Sequence, residues 1–297
     1  MSTAAASIGT PVVEDRPVGL WSDAFRRMRS NPSAIIGGVL VALFLGMAIF
    51  APFLAPFDPT QGNLADSHLP PSPEHWFGTN VQGQDVLSRI IYGSRLTLGI
   101  ATLSVVIGIT IGTTFGALAG FFRGWVDSVI MRCVDIMLSI PGLLFSIAVV
   151  TFLGQGVAQI ALAIAILNIP IFARLLRGTL LSVREAEYVS AARAIGVGRT
   201  TLLVRHMLPN AVSPLIVAAT LALATAVVEA AALGFLGLGP PDPRTPEWGM
   251  MLSDSYRYLN QAPFLAFFPG IAIVLSVLAF NLLGDALRES LDPKLRR

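Results

Sequence analysis

Asn31 to Phe57 and Leu96 to Phe122 contain no charged residue, and neither does the far longer run from Ile136 to Ala173. Each exceeds the roughly 20 apolar residues that carry a helix across a hydrocarbon core about 30 Å thick. Uncharged runs of that length cannot coat a water-facing surface. The composition agrees, with 54% hydrophobic and 13% charged residues, where a soluble domain carries about 25% charged. Disorder, a fibrous repeat and a freely soluble enzyme are excluded on these grounds. Basic residues are spread along the chain without the clustered stripe that phosphate binding needs, so no nucleic-acid partner is expected.

Two further spans follow. Val212 to Leu236 is broken only by Glu229, and Leu259 to Gly284 is uncharged. The Ile136–Ala173 run is too long for one helix, and Gly154-Gln155-Gly156 marks a tight turn near its middle. It therefore divides in two, the first helix beginning upstream near Val129. The predicted fold class is an all-α integral membrane protein with six transmembrane helices. Its parts are an N-terminal tail (1–32), a first span (33–57), an outer loop (58–95), a five-helix core (96–284) and a C-terminal tail (285–297).

Orientation follows from the positive-inside rule. Arg16, Arg26, Arg27, Arg29, Arg123, six arginines from Arg174 to Arg205, Arg288, Lys294, Arg296 and Arg297 share one side, which is fifteen of the 20 Lys and Arg. Arg89, Arg95, Arg244 and Arg257 fall on the other side. Both termini are thus expected to face the cytoplasm of a cell (inner or plasma) membrane. Arg26-Arg27 ahead of an apolar run raises the question of a cleaved leader, but the length of chain before that run favours a retained first helix.

Three connecting stretches are too long to be mere links. The outer loop opens with Pro59, Pro70, Pro71 and Pro73. It then presents Val86, Leu87, Ile90 and Ile91 as an i, i+4 double stripe. That pattern predicts a short amphipathic helix, lying flat on the membrane surface or packed against neighbouring spans. The stretch from Gly237 to Ala262, with Pro240, Pro241, Pro243, Pro246 and Trp248, predicts a rigid, partly re-entrant loop or a short helix pair capping a vestibule. The inner stretch from Arg174 to His206 predicts a helix over Glu185 to Ile195. Gly196 and Gly198 break it, and Thr200 caps a new helix running toward Pro209. Small residues Ala191, Ala192 and Gly196 let another surface come close, which suits docking onto a partner protein.

This inner stretch resembles the EAA motif of ABC importer permeases: Ser190-Ala191-Ala192, then Gly196, then Leu208-Pro209. Ser190 stands at the motif's glutamate, His206 at its isoleucine, and Glu187 lies one turn earlier. Phe77-Gly78-Thr79-Asn80, Gly83 to Arg89, Val134-Asp135-Ile136 and Ile140-Pro141-Gly142 are similar to the C-type subunit of the dipeptide/oligopeptide/nickel permeases. So are Glu229-Ala230-Ala231, Gly234 to Gly239, Trp248-Gly249 and the tail from Gly284-Asp285 to Leu291-Asp292-Pro293. In order, these matches run from about residue 20 to the C-terminus.

The resemblance implies a type I ABC importer permease fold and a transport subunit forming half of a pathway for peptides of the dipeptide/oligopeptide class. It implies a second homologous permease subunit, two ATP-binding subunits and an extracytoplasmic solute-binding protein, all set in membrane lipid. ATP and Mg would sit on the ATPase subunits, with no cofactor bound by this chain and no enzymatic role. The ATPase-docking coupling loop, within 174–209, would comprise Glu187, Tyr188, Ser190, Ala191, Ala192, Arg193, Gly196 and Gly198.

The residues themselves offer no catalytic set. There is no Gly-x-x-x-x-Gly-Lys-Ser/Thr phosphate loop. His68, His75 and His206 lack the spacing of a metal or Ser-His-Asp site, and Cys133 is the one cysteine. Charges and amides inside spans are the functional candidates: Arg132 and Asp135, three apart and able to pair, Asn168 beside Pro170, and Glu229. Gly108, Gly112 and Gly116 read as a close-packing face. Two rivals carry distinct expectations. A secondary carrier or channel acting without ATPase partners would want paired homologous halves, and a non-transporting anchor would move no solute.

Overall fold

The computed structural model describes residues 20–291, with side chains from residue 25 onward. Arg16, Asp292-Pro293, Lys294, Arg296 and Arg297 lie outside the described residues. Helix α1 (Leu20–Ser30) leads into α2 (Pro32–Leu54). Asn31 caps α2, its side-chain oxygen accepting from the Ser33 amide at 2.9 Å, with Pro32 as the first helical residue. Its amide nitrogen donates to Glu289 at 2.8 Å, so the start of α2 is tied to the end of the last helix.

Helix α3 (Val86–Phe122) runs 37 residues, about 55 Å at 1.5 Å per residue, far longer than a bilayer core. Here the structure departs from the sequence expectation. The stripe of Val86, Ile90 and Ile91 does not form a short surface helix; it is the buried first turns of the second span. The reason is local: Asp85 caps the helix by accepting from the Ser88 amide at 2.8 Å, no proline intervenes before the apolar run, and Gly93 is carried within the helix.

Helices α4 (Gly124–Ser139) and α5 (Gly142–Leu153) meet at a 94° bend. The uncharged run predicts one continuous helix from near Val129 to Gly154, and the bend divides it. Gly154 and Gly156 then turn the chain with φ of +89° and +154°, and α6 (Val157–Arg184) follows. A Cβ at Gly108 would stand 2.5 Å from that of Asn168. One at Gly112 would stand 2.5 Å from the Ile169 carbonyl oxygen, and one at Gly116 2.5 Å from that of Ala173. The glycine ladder is therefore the seam on which α3 and α6 pack, as small-residue spacing in membranes implies.

After α7 (Glu187–Ala194), the short α8 (Arg199–Thr201) passes through a wide π-type turn (Leu202–Met207) into α9 (Leu208–Leu233). A second π-type turn (Gly234–Leu238) ends it, departing from helical geometry at Gly237 (φ +78°), and the segment Arg199–Leu238, 40 residues, is apolar enough to cross a membrane. Gly198, not Thr200, stands at the N-cap of α8, and no side chain caps it. Helix α10 (Trp248–Ser255) and α11 (Phe264–Leu291) complete the bundle. Helix α11 continues well past Gly284, so the expected C-terminal tail begins as helix, and α1 likewise occupies part of the expected N-terminal tail. Among the described residues, five helices are long and apolar enough to cross a membrane, and there are six when the bent α4–α5 pair is counted as one span.

Candidate functional site

The α7 corner lies at the arginine-rich end. Val189, fully buried, and Ala192, 9% exposed, point into the core beside Leu202 and Met207. Glu187, Tyr188, Ser190, Ala191 and Arg193 are exposed on the opposite face. The helix stops because Gly196 adopts φ +86°. Its amide donates to the Arg193 carbonyl and that of Val197 to the Ala192 carbonyl, both at 3.1 Å. This paired reverse bonding satisfies the last carbonyls of α7 and requires a left-handed residue at Gly196. A Cβ at either Gly196 or Gly198 would meet nothing within 4 Å, so no other described residue crowds the corner. Ile195, 82% exposed, stands at its tip.

Arg132 and Asp135 do not pair with each other. Asp135 binds Arg174 of α6, and Asp127 accepts two bonds from Arg177 at 2.5 and 2.7 Å. Both acids thus tie α4 to α6. An i, i+3 spacing on one helix loses to a partner on the facing helix, which sequence spacing cannot reveal. Asn168 is buried, its amide donating to the Ile164 carbonyl at 3.0 Å while its Cβ faces Gly108. It serves the α3–α6 seam.

Glu229 lies elsewhere, in a recess of about 300 Å³ at the α4–α5 bend, together with Ile140, Pro141, Gly142 and Phe145 and residues of α6. A separate open groove of about 840 Å³ runs between α3 and α9, walled by Thr110, Thr114, Val212 and Ile216 among others.

At the end opposite α7, a cap closes over α3 by means the sequence did not reveal. Glu247, 1% exposed, caps α10 by accepting from the Met250 amide at 2.8 Å, and its other oxygen accepts from the Thr97 hydroxyl at 3.1 Å. Burial pushes its carboxyl above the usual range, against the lowering effect of these bonds. The Trp248 indole donates to the Ile90 carbonyl at 3.0 Å, and its ring packs where a Cβ on Gly93 would clash. The buried Arg89 guanidinium donates to the carbonyls of Pro59 at 3.1 Å and Arg244 at 3.0 Å, and to the Gln84 side chain. His75 bonds Asp85 at 2.9 Å, and His68 packs on the Tyr258 ring at 4.6 Å. The two histidines are thus engaged separately. An acid ahead of Trp248-Gly249 is the one local signal for Glu247 as a helix cap; Arg89 carries no signal for so many acceptors.

The family model for binding-protein-dependent transport system inner membrane components matches residues 112–297. That for the N-terminal TM domain of oligopeptide transport permease C matches residues 19–71. The dipeptide transport system permease protein DppC of Alkalihalophilus pseudofirmus is 45% identical over 289 residues, 97% of this chain and 95% of that protein. The glutathione transport system permease protein GsiD of Pectobacterium atrosepticum is 42% identical over 288 residues, 96% and 95% of the two chains. Among solved structures, a chain of the inward-facing MetNI methionine ABC transporter superposes with a TM-score of 0.58 at 22% identity, covering 69% of this chain and 97% of that one. That likeness gives the fold: a type I ABC importer permease.

Proposed function

The chain belongs to the family of binding-protein-dependent transport system inner membrane components, and from that premise we propose that it forms half of an ATP-driven import pathway for short peptides. The names of its relatives, dipeptide and glutathione permeases, support that substrate class. The other half is a homologous permease. Two ATP-binding subunits dock on the arginine-rich face, and a solute-binding protein delivers substrate to the opposite face. ATP and Mg belong to the docking subunits; this chain carries out no chemistry and binds no cofactor. Both termini face the cytoplasm, with the bent α4–α5 pair counted as one span.

The observation that carries this reading is the continuity between the α7 corner and the opposite end. Glu187, Ser190, Ala191 and Arg193 are exposed on α7, as is Tyr188, whose hydroxyl donates to the His206 carbonyl at 3.5 Å. Val189 and Ala192 anchor that helix to Leu202 and Met207 at the root of the Arg199–Leu238 segment. A push on α7 is therefore delivered to a rod whose α-helical part, the 26-residue α9, is about 39 Å long, and whose far end packs under Glu247 and α10. The wide turns at Leu202–Met207 and Gly234–Leu238 are the places where such a rod can change register, since π-type turns sit at helix irregularities. Closure of the ATPases and opening of the far end would then be two readings of one bistable interface.

The test is purification of the tagged chain in mild detergent with its co-expressed neighbours, followed by an ATPase assay and peptide uptake in liposomes. Recovery of a second permease and two ATPase subunits, with uptake that requires ATP and the solute-binding protein, is the expected outcome. A chain that stays alone and moves solute without ATP would replace the importer reading with a carrier.

A further inference from the structure

Glu229 is the one charged residue in an otherwise apolar recess at membrane depth. Its neighbours there include Ile140, Phe145, Leu167 and Ile171, and the latter two lie near the middle of the 28-residue α6. Among the described residues, no hydrogen bond or ion pair reaches its carboxylate. The first turn of α5 has no side-chain cap, although the Glu229 oxygen lies 4.0 Å from where a Cβ on Gly142 would stand. An ionisable group in a span is costly, faces the bundle interior or a water-filled cavity, and marks a functional site by default. The recess itself has an independent cause. Pro141 has no amide hydrogen to continue the α4 ladder, and the chain turns through 94°. Non-helical backbone at membrane depth is tolerated where it is buried or lines a water-filled cavity.

We propose that the recess at the α4–α5 bend is a subsite for the protonated amino terminus of the transported peptide. The Glu229 carboxylate supplies the counter-charge, and the apolar walls receive the first side chain. This deepens the peptide-importer reading and rests on it. Three considerations select this ligand. One carboxylate among apolar walls suits a monovalent organic cation with an apolar body, whereas calcium or magnesium needs six or more oxygen ligands. The volume, about 300 Å³, lies at the small end of ligand sites, sized for one residue of a peptide and not for the whole molecule. And the walls come from α4, α5, α6 and α9 of this chain, so the recess is preformed without the partner permease.

The test uses the complete importer in proteoliposomes: this chain, its partner permease, the ATPases and a solute-binding protein saturated with labelled phenylalanyl-alanine. Because every variant receives the same loaded binding protein, selection by that protein cancels. Glu229→Gln is expected to lower uptake at least about tenfold, as loss of one partner of a desolvated charge pair does. Glu229→Asp should retain part of it, and ATPase stimulation by the loaded binding protein should persist in both. Uptake by Glu229→Gln equal to wild type overturns the proposal. Should that variant fail to assemble, the decision passes to Ile140→Cys with Cys133→Ser, which leaves Glu229 in place. Slower thiol labelling of residue 140 during dipeptide turnover supports the subsite. Unchanged labelling assigns the carboxylate to the partner permease and overturns it. A wild-type importer that moves another solute but no dipeptide defeats the peptide reading itself, and the subsite with it.

Discussion

At the α7 corner the polar and small residues stand in solvent and the backbone alone makes the turn, whereas at the opposite end the polar groups are buried and bonded to one another. Glu187, Ser190, Ala191 and Arg193 are exposed, and the corner is closed by two backbone bonds around Gly196. In the cap, Arg89, Glu247 and Trp248 are each at most 1% exposed, and each reaches across 30 residues of sequence or more. Buried polar groups of this kind hold only when every partner is present. A surface meant for another protein leaves its contacts to be completed by that protein. Damage to the cap should therefore appear as lost stability, and damage to the corner as lost communication in a stable protein.

The largest effect is expected at Arg89. Arg89→Ala leaves the Pro59 and Arg244 carbonyls and the Gln84 side chain without their donor, and should destabilise the protein by about 3 kcal/mol or more. Thermal unfolding of the detergent-solubilised chain measures this. A melting point within a degree or two of wild type would mean that the cap does not depend on its buried cation.

Next comes Glu247. Its folded carboxyl binds a proton more tightly than an unfolded one, because burial raises its pKa. The folded state therefore holds more protons than the unfolded state between the ordinary carboxylate value and the raised one, and stability falls as pH rises through that window. Glu247→Gln, which keeps one acceptor but removes the titration, should flatten the fall in melting temperature with pH. It should also cost about 1 to 2 kcal/mol of capping at low pH. A wild-type melting curve already flat over that range would contradict the assignment.

At the corner the expected stability changes shrink. Gly196→Ala places a Cβ on a residue at φ +86° and should cost about 1 kcal/mol. The functional loss should be out of proportion to that. In the assembled importer, ATP hydrolysis should continue while uptake fails, because the angle of α7 on the Arg199–Leu238 segment is what the glycine holds. Coupled transport at the wild-type ratio of solute to ATP would remove the corner from the mechanism.

The contrast also explains what was legible beforehand. Six spans could be counted because lipid forces every uncharged run of sufficient length into helix. The corner could be drawn because two glycines interrupt an alanine-rich helix. The 94° bend could not. Pro141-Gly142 breaks the third span, yet Pro269-Gly270 passes through α11 without a break. The missing amide hydrogen at Pro141 allows the bend, but the same dipeptide inside α11 shows that local sequence alone does not announce one. The cap was hidden for a different reason. Its bonds join Thr97 to Glu247 and Arg89 to Arg244, separations of 150 and 155 residues that no local pattern encodes. Arg132 and Asp135 failed as a pair for the same cause, the true partner of Asp135 being on α6. Among Arg132, Asp135, Asn168 and Glu229, the same burial logic points to Glu229, which sits in a recess, and to Asn168, which lies in a packing seam.

The smallest structural effect, and the sharpest use of the comparison, belongs to Ala191. Its side chain is exposed on α7, away from the buried Val189 and Ala192 face. Ala191→Trp should therefore change stability by no more than about 0.5 kcal/mol, the usual range for a surface site. A large ring on that face would nevertheless hold a docking partner off, because the small residues there are what permit close approach. The expected result is an unchanged melting temperature, normal membrane insertion, and loss of the ATPase subunits from the purified complex. Tryptophan at Leu69, equally peripheral at the far end and 38% exposed, should leave those subunits bound and so serves as the control. If Ala191→Trp still recovers its ATPases and couples their hydrolysis to uptake, the exposed face of α7 is not where they dock, and the corner's backbone motif would have to act through α8 and the Leu202–Met207 turn instead.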